Sequence, residues 1–199
     1  MGFLMNSRRS VRGLAALLTG MIVPFAAPPA AAAGDNPDKG KFVVGGLVHD
    51  RGPAADRHEH GYDVNLEYRF PAPDWTAWGW IGSPRPHIGA TISTNGETSI
   101  AYTGLTYDLD LAGPLFAEAQ GGLAVHNGMM HQKDVNRCQE ESDCGFGSRV
   151  LFHGGLALGA RVSDDSSVSL MWDHVSHGKI LASENEGIDH VGIRYAFQM

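Results

Sequence analysis

Hydrophobic and polar residues alternate with a period of two along much of the chain, which is the pattern of β-strands that present two different faces. Residues 150–162 show it clearly, because large apolar side chains occupy most even positions and small residues, histidine and arginine occupy most odd ones. Turn sequences such as Asn95-Gly96 and Asp164-Asp165 separate the alternating segments. The pattern predicts eight strands, over residues 42–50, 62–70, 85–94, 99–110, 114–127, 148–163, 166–177 and 189–199.

Most of these strands are close to the roughly 9–11 residues that a tilted membrane strand needs, and their number is even. We therefore predict an all-β fold, an eight-stranded antiparallel transmembrane β-barrel. A soluble ligand-binding barrel alternates in the same way with its faces reversed. The unbroken apolar face of the last strand, which continues to Met199, favours the membrane barrel. So do aromatic residues near strand ends, which suit an interfacial girdle: Tyr62, Tyr68, Tyr102, Tyr107, Trp172 and Tyr195.

One segment does not fit this topology well. Residues 71–84 contain three tryptophans and are long for a turn on the periplasmic side. Because both ends of an even-stranded barrel lie on that side, the segments 128–147 and 178–188 are expected outside the cell.

The first 33 residues have the organisation of a secretory signal peptide. Arg8, Arg9 and Arg12 precede an apolar stretch over residues 14–25, and three alanines at 31–33 offer a cleavage site. The short apolar stretch and the prolines within and after it argue against a membrane anchor. We therefore expect a signal peptide over residues 1–33, one barrel domain over residues 34–199, and a location in the outer membrane.

Composition narrows the classes of function. The net charge of −7 becomes −10 without the three leader arginines, and such an acidic chain is unsuited to a phosphate backbone, so no nucleic-acid partner is predicted. Glycine supplies 26 of 199 residues, about twice its usual share, which is typical of curved β-structure rather than of helices. The sequence does not indicate the oligomeric state.

Two cysteines, Cys138 and Cys144, lie six positions apart in a polar stretch. Because exported compartments are oxidising, we expect them to form a disulfide within an outer loop. A metal site there would need further ligands, and His131 is the only obvious one. The sequence His58-Glu59-His60 also suggests a metal pair, but such residues in an exposed loop are more often solvated. No metal site and no cofactor are predicted.

The segment Asp173-His174-Val175-Ser176-His177 carries groups that ester hydrolysis needs. Residues two apart on a strand share a face, so His174 and Ser176 are neighbours, and the alternation puts them on the lipid side. Asp189 has the same facing at the start of the next strand. A histidine can accept the proton of a serine hydroxyl, and a carboxylate can orient that histidine. The pattern predicts an esterase whose substrate is part of the membrane.

The end of the chain resembles the outer-membrane lipid A 3-O-deacylases, the PagL-type proteins that are often labelled acyloxyacyl hydrolases. The resemblance rests on His174-Val175-Ser176-His177-Gly178, Asn185-Glu186-Gly187-Ile188-Asp189 and Ile193-Arg194-Tyr195-Ala196-Phe197. It is strongest over residues 168–199. It implies an eight-stranded barrel that hydrolyses the ester-linked 3-hydroxyacyl chain at the 3-position of lipid A, with lipopolysaccharide as substrate.

Position by position, the resemblance implies that Ser176 is the nucleophile, His174 the general base and Asp189 the residue that orients His174. The chain departs from the family pattern at Asp189, where glutamate is usual, and at His177, where an asparagine is expected to help bind the oxyanion. The ring of His177 and the backbone N–H of Gly178 are the substitutes that we expect at the oxyanion.

Several alternatives stay open on these residues. Glu186 is a rival for the role of the acid, although the spacing of the motif favours Asp189. In a non-enzymatic outer-membrane barrel with a structural or adhesion role, the same side chains would be inert polar groups. A soluble periplasmic binding barrel and an esterase for phospholipids or secondary acyl chains are further alternatives.

Overall fold

The computed structural model describes residues 36–130 and 145–199, which form eight antiparallel strands and one short helix. The elements are β1 (Lys41–His49), β2 (Gly61–Arg69), α1 (Thr76–Trp80), β3 (Arg85–Ser93), β4 (Ile100–Asp110), β5 (Leu115–His126), β6 (Val150–Arg161), β7 (Ser166–Ser176) and β8 (Ile188–Gln198). Each strand pairs with the next and β8 pairs with β1, so the sheet closes into a barrel. The predicted fold is confirmed, and each predicted strand ends within two residues of the observed one. The expected signal peptide and the expected Cys138–Cys144 disulfide lie outside the described residues.

The alternation in the sequence becomes an apolar outer wall and a polar lumen. On β6, Phe152, Leu156 and Leu158 are exposed on the outside, whereas Leu151 and His153 are buried inside. The same alternation runs along β8, where Ile193 and Tyr195 are exposed. An exposed apolar wall around a polar interior is the arrangement of a barrel that faces lipid.

Charged side chains fill the middle of the lumen. Arg69 donates to Glu118 at 2.6 Å and to Glu67 at 2.5 Å, and Arg194 donates to Glu118 at 2.7 Å. All four side chains are buried, and two positive charges balance two negative ones. This packed network makes the lumen polar, and it plugs the barrel.

Tyr102 is not part of an aromatic girdle, so that prediction is wrong. The residue is only 2 % exposed; its hydroxyl donates to Glu67 at 2.9 Å and accepts a hydrogen bond from Asn65 at 2.8 Å. Its neighbours Ala101 and Thr103 face outward, so the period of two along β4 places the phenol inside.

The long segment after β2 contains α1, and no residue of this helix is buried. Trp78 donates its indole N–H to the carbonyl of Pro84 at 2.7 Å, which closes the connection into a compact turn. Within the described ranges, no helix is long and apolar enough to cross a membrane.

Glycines allow the barrel wall to bend sharply. Gly104 and Gly122 are directly paired on β4 and β5. A Cβ atom on either residue would meet the backbone of the opposite strand. This close approach accounts for part of the high glycine content, because a small barrel needs tight curvature.

Candidate active site

Three side chains form a hydrogen-bonded chain on the outer wall, where β7 ends and β8 begins. The ring of His174 lies 2.6 Å from Asp189 through Nδ1 and 2.8 Å from the hydroxyl of Ser176 through Nε2. His174 and Asp189 are directly paired across the two strands. Because paired residues have Cβ atoms about 4.5–5.5 Å apart, an aspartate reaches the ring without the extra carbon of a glutamate.

The partners of His174 fix which ring nitrogen carries the proton. An ionised carboxylate can only accept, so Nδ1 donates to Asp189 and Nε2 is left to accept from the Ser176 hydroxyl. This is the tautomer that a general base needs. The side chain of His174 is 27 % exposed, so its ring can be reached from outside the barrel.

Asp189 is held by two further donors that the sequence analysis did not identify. Its second oxygen accepts from the indole N–H of Trp172 at 2.9 Å and from the backbone N–H of Ala54 at 2.8 Å. The Asp189 side chain is fully buried, although it lies on the lipid-facing side of β8. Gly52 packs so closely on it that a Cβ atom there would meet the carboxylate. The loop between β1 and β2 therefore shields the acid from both lipid and water.

Glu186 lies in a different environment from Asp189. Its carboxylate is 2.9 Å from Nδ1 of His58, in the loop between β1 and β2. Burial raises the pKa of Glu186, and the hydrogen bond with His58 offsets this only in part. Asp189 contacts His174, whereas Glu186 contacts His58, so the positions of the two carboxylates favour Asp189 as the partner of His174.

An open groove of about 530 Å³ runs along the outer wall beside Ser176. Phe152, Leu156 and Ile180 line it with apolar surface, and Gly154 faces His174 across the β6–β7 pair. No atom lies within 4 Å of the place that a Cβ atom on Gly154 would occupy. The groove is therefore apolar, accessible from lipid, and deepened next to the reactive groups by the absence of a side chain.

Comparison with known proteins identifies the family. A family model described as "Lipid A 3-O-deacylase (PagL)" matches residues 60–198, which is most of the chain. The chain belongs to the PagL family. No curated protein sequence matches it significantly.

Two solved structures are similar to this PagL-family chain. The crystal structure of the outer membrane enzyme PagL is 15 % identical, with a TM-score of 0.51, and covers 79 % of this chain and 99 % of its own. Neisserial surface protein A (NspA) is 10 % identical with a TM-score of 0.49, and covers 81 % of this chain and 97 % of its own. At such low identity the first of these likenesses establishes the architecture alone.

His177, which also departs from the PagL pattern, is buried and its ring is engaged elsewhere. Nε2 lies 2.8 Å from the carbonyl of Phe146, and Nδ1 accepts from the backbone N–H of Leu181 at 3.4 Å. The backbone N–H of His177 donates to Asn185 at 2.8 Å. The ring therefore has no nitrogen left for an oxyanion beside Ser176, contrary to the expectation from the sequence.

Gly178 is the other residue expected at the oxyanion. It lines the same groove as Ser176 and has a left-handed backbone with φ of +59°. Within residues 36–130 and 145–199, its N–H has no hydrogen-bond partner. Glycine adopts this conformation without strain. Of the two expected donors, this N–H is the one without a partner among the described residues.

Proposed function

We propose that the protein is an outer-membrane esterase that hydrolyses the ester-linked 3-hydroxyacyl chain at the 3-position of lipid A. Membership of the PagL family supports the class of substrate. The observation that carries the mechanism is the hydrogen-bonded chain of Ser176, His174 and Asp189 beside an apolar groove on the lipid-facing wall. An acyl chain lying in that groove would present its ester carbonyl to the serine hydroxyl.

In the first half of the proposed reaction, the Ser176 oxygen attacks the ester carbonyl carbon while its proton moves to Nε2 of His174. Asp189 stabilises the imidazolium and keeps the ring oriented. The carbonyl oxygen becomes an oxyanion, to which the N–H of Gly178 donates. When the intermediate collapses, the carbon–oxygen bond to the sugar breaks, and His174 gives its proton to the departing sugar hydroxyl.

In the second half, water attacks the acyl-serine ester and His174 accepts a proton from it. Collapse of the second intermediate releases the 3-hydroxy fatty acid and returns the proton to Ser176. The open side of the groove supports this step, because His174 is accessible from outside the barrel. All of the proton transfers use Nε2 of His174.

The position of the groups along β7 supports a substrate in the outer leaflet. In an even-stranded barrel with both ends on the periplasmic side, β7 runs outward, so Ser176 lies at its extracellular end. The apolar wall below it would contact acyl chains, and the loops above it would contact the sugar headgroup. The predicted signal peptide is consistent with export to this membrane.

Mass spectrometry of lipid A from cells that express the protein, compared with cells that express Ser176→Ala, tests the proposal. We expect the unmodified protein to cause loss of one 3-hydroxyacyl chain and Ser176→Ala to cause none. Gel mobility before and after heating verifies that both barrels are folded. Identical lipid A from both cultures, with both barrels folded in the outer membrane, would contradict the proposed activity.

A further inference from the structure

A second cluster of ionisable residues lies inside the barrel, directly behind the candidate active site. It consists of His49 at the end of β1, Asp63 on β2 and His190 on β8. These residues are 0 %, 2 % and 0 % exposed. One nitrogen or oxygen atom from each lies within 4.8 Å of those of the other two. Three strands thus bring three metal-binding residue types to one buried point.

The cluster contains buried polar atoms that lack partners. Asp63 lies 2.8 Å from Nδ1 of His49 through Oδ2, but its Oδ1 has no hydrogen bond in the described part of the chain. Nε2 of His190 also lacks one, and it lies 3.4 Å from Oδ2 of Asp63, the oxygen that contacts His49. A buried donor or acceptor without a partner costs about 1–3 kcal/mol. A cation bound between Oδ2 of Asp63 and the two histidines would give Nε2 of His190 a partner.

The outer contacts of the two histidines leave their inner nitrogens directed at Asp63. Nε2 of His49 is 2.8 Å from Glu59, and Nδ1 of His190 is 2.6 Å from Asp173. A histidine that binds a metal commonly donates its other ring N–H to a carboxylate, which fixes its tautomer and raises its basicity. Both histidines of the cluster have this arrangement.

We propose that His49, Asp63 and His190 bind one divalent transition-metal ion such as zinc. Two imidazole nitrogens and a carboxylate suit zinc and related ions, whereas calcium and magnesium prefer oxygen ligands alone. Ligands about 2.0–2.1 Å from zinc at tetrahedral angles lie roughly 3.3 Å apart. The Asp63 oxygen lies 2.8 Å from His49 and 3.4 Å from His190, which small side-chain shifts bring to this spacing.

Charge supports a cation at this point. Asp63, Glu59 and Asp173 surround the two histidines, so the group carries three negative charges when both rings are neutral. A divalent ion offsets most of this charge, and it favours the neutral rings that bind metals. The ion would fix β1, β2 and β8 to one another near the outer loops. This site does not depend on the proposed esterase activity.

Metal binding by the complete folded barrel tests the proposal. The protein is refolded without metal, exposed to Zn²⁺ or Ca²⁺, freed of unbound ion and analysed by elemental mass spectrometry. We expect one retained Zn²⁺ per chain and no retained Ca²⁺. A Co²⁺ titration should end at one equivalent with the visible absorption bands of a low-coordinate nitrogen–oxygen site. Absence of both the retained zinc and these bands would overturn the proposal.

Matched variants locate the ion. His190→Gln and His49→Gln should each lose the retained Zn²⁺, whereas His87→Gln, which replaces another buried lumenal histidine, should keep it. Heat-dependent gel mobility shows which variants fold. Full zinc retention by both folded ligand variants would place the ion elsewhere and overturn the assignment. If a ligand variant does not fold, the Co²⁺ titration of the unsubstituted barrel still decides the outcome.

Discussion

Strands β7 and β8 carry two histidine–carboxylate pairs, one on the outer face and one on the inner face of the barrel wall. On the outside, His174 of β7 pairs with Asp189 of β8, and on the inside, Asp173 of β7 pairs with His190 of β8. Nδ1 of the histidine lies 2.6 Å from a carboxylate oxygen in both pairs. The two pairs are consecutive in the β7–β8 pairing. The outer pair has its histidine on β7, and the inner pair has its histidine on β8.

The pairs differ in what the second ring nitrogen meets. Nε2 of His174 lies 2.8 Å from the Ser176 hydroxyl, beside a groove that is open to lipid. Nε2 of His190 is buried and faces Asp63, a carboxylate that is itself enclosed within the lumen. A histidine–carboxylate pair therefore gains its chemistry from the third group and from access to a substrate.

Replacing the outer histidine should have the largest effect on activity. We expect His174→Ala to lower the rate of lipid A deacylation by about 10⁵-fold or more, because the serine then has no base. His87→Gln, which changes a buried histidine in the lumen, should leave the rate nearly unchanged. A time course of lipid A deacylation in detergent micelles measures both. Comparable losses in the two variants would show that the outer pair has no special role.

Removing the charge of the outer carboxylate should have the next largest effect. We expect Asp189→Asn to lower the rate by about 10⁴-fold, because an amide no longer selects the tautomer in which Nε2 of His174 is unprotonated. Glu186→Gln is the matched control, since Glu186 contacts His58 instead of His174. The same micelle assay compares them. A larger loss in Glu186→Gln than in Asp189→Asn would reverse the assignment of the acid.

The strands could be predicted from the sequence because one physical rule governs them. Along a barrel strand, successive side chains alternate between lipid and lumen. The facing of each residue on β6 and β8 could therefore be read from the sequence. The same alternation places Tyr102 inside the barrel. Its assignment to the girdle was wrong because it rested on the aromatic ring and not on the position of the residue along β4. Alternation does not describe α1 within the segment 71–84, because that segment lies outside the barrel wall.

The hydrogen-bonded chain of the site could be predicted because its three residues lie on paired strands of known facing. The supporting contacts could not, since Ala54 N–H and the position of Gly52 depend on how a loop folds over Asp189. His49, Asp63 and His190 come from three distant segments, so no local motif marks them as a cluster, and no metal site was predicted. The ring of His177 was misassigned for the same reason, because its partner Phe146 lies on another loop.

Filling the groove beside the outer pair should have an intermediate effect. We expect Gly154→Leu to lower the rate by about 100-fold, because the new side chain would displace an acyl chain from its place near Ser176. The barrel should still fold, since open space surrounds that position. Gly46→Leu is the control: Gly46 also has open space around its Cβ position, but it lies on β1. Equal losses in both variants would exclude a specific acyl-binding role for the groove.

Removing the indole donor to Asp189 should have the smallest effect of the series. Trp172→Phe keeps an aromatic ring in the groove but deletes the N–H that lies 2.9 Å from the carboxylate. A hydrogen bond to a charged group contributes about 1.5 kcal/mol or more, which corresponds to about a tenfold change. We expect kcat to fall about tenfold with KM nearly unchanged, because the contact acts through Asp189 on His174 and not on the acyl chain. Trp80→Phe, at a tryptophan that is 83 % exposed, should change neither constant. A rise in KM without a fall in kcat would instead assign Trp172 to substrate binding, and the buried carboxylate would then need only its contacts with His174 and Ala54.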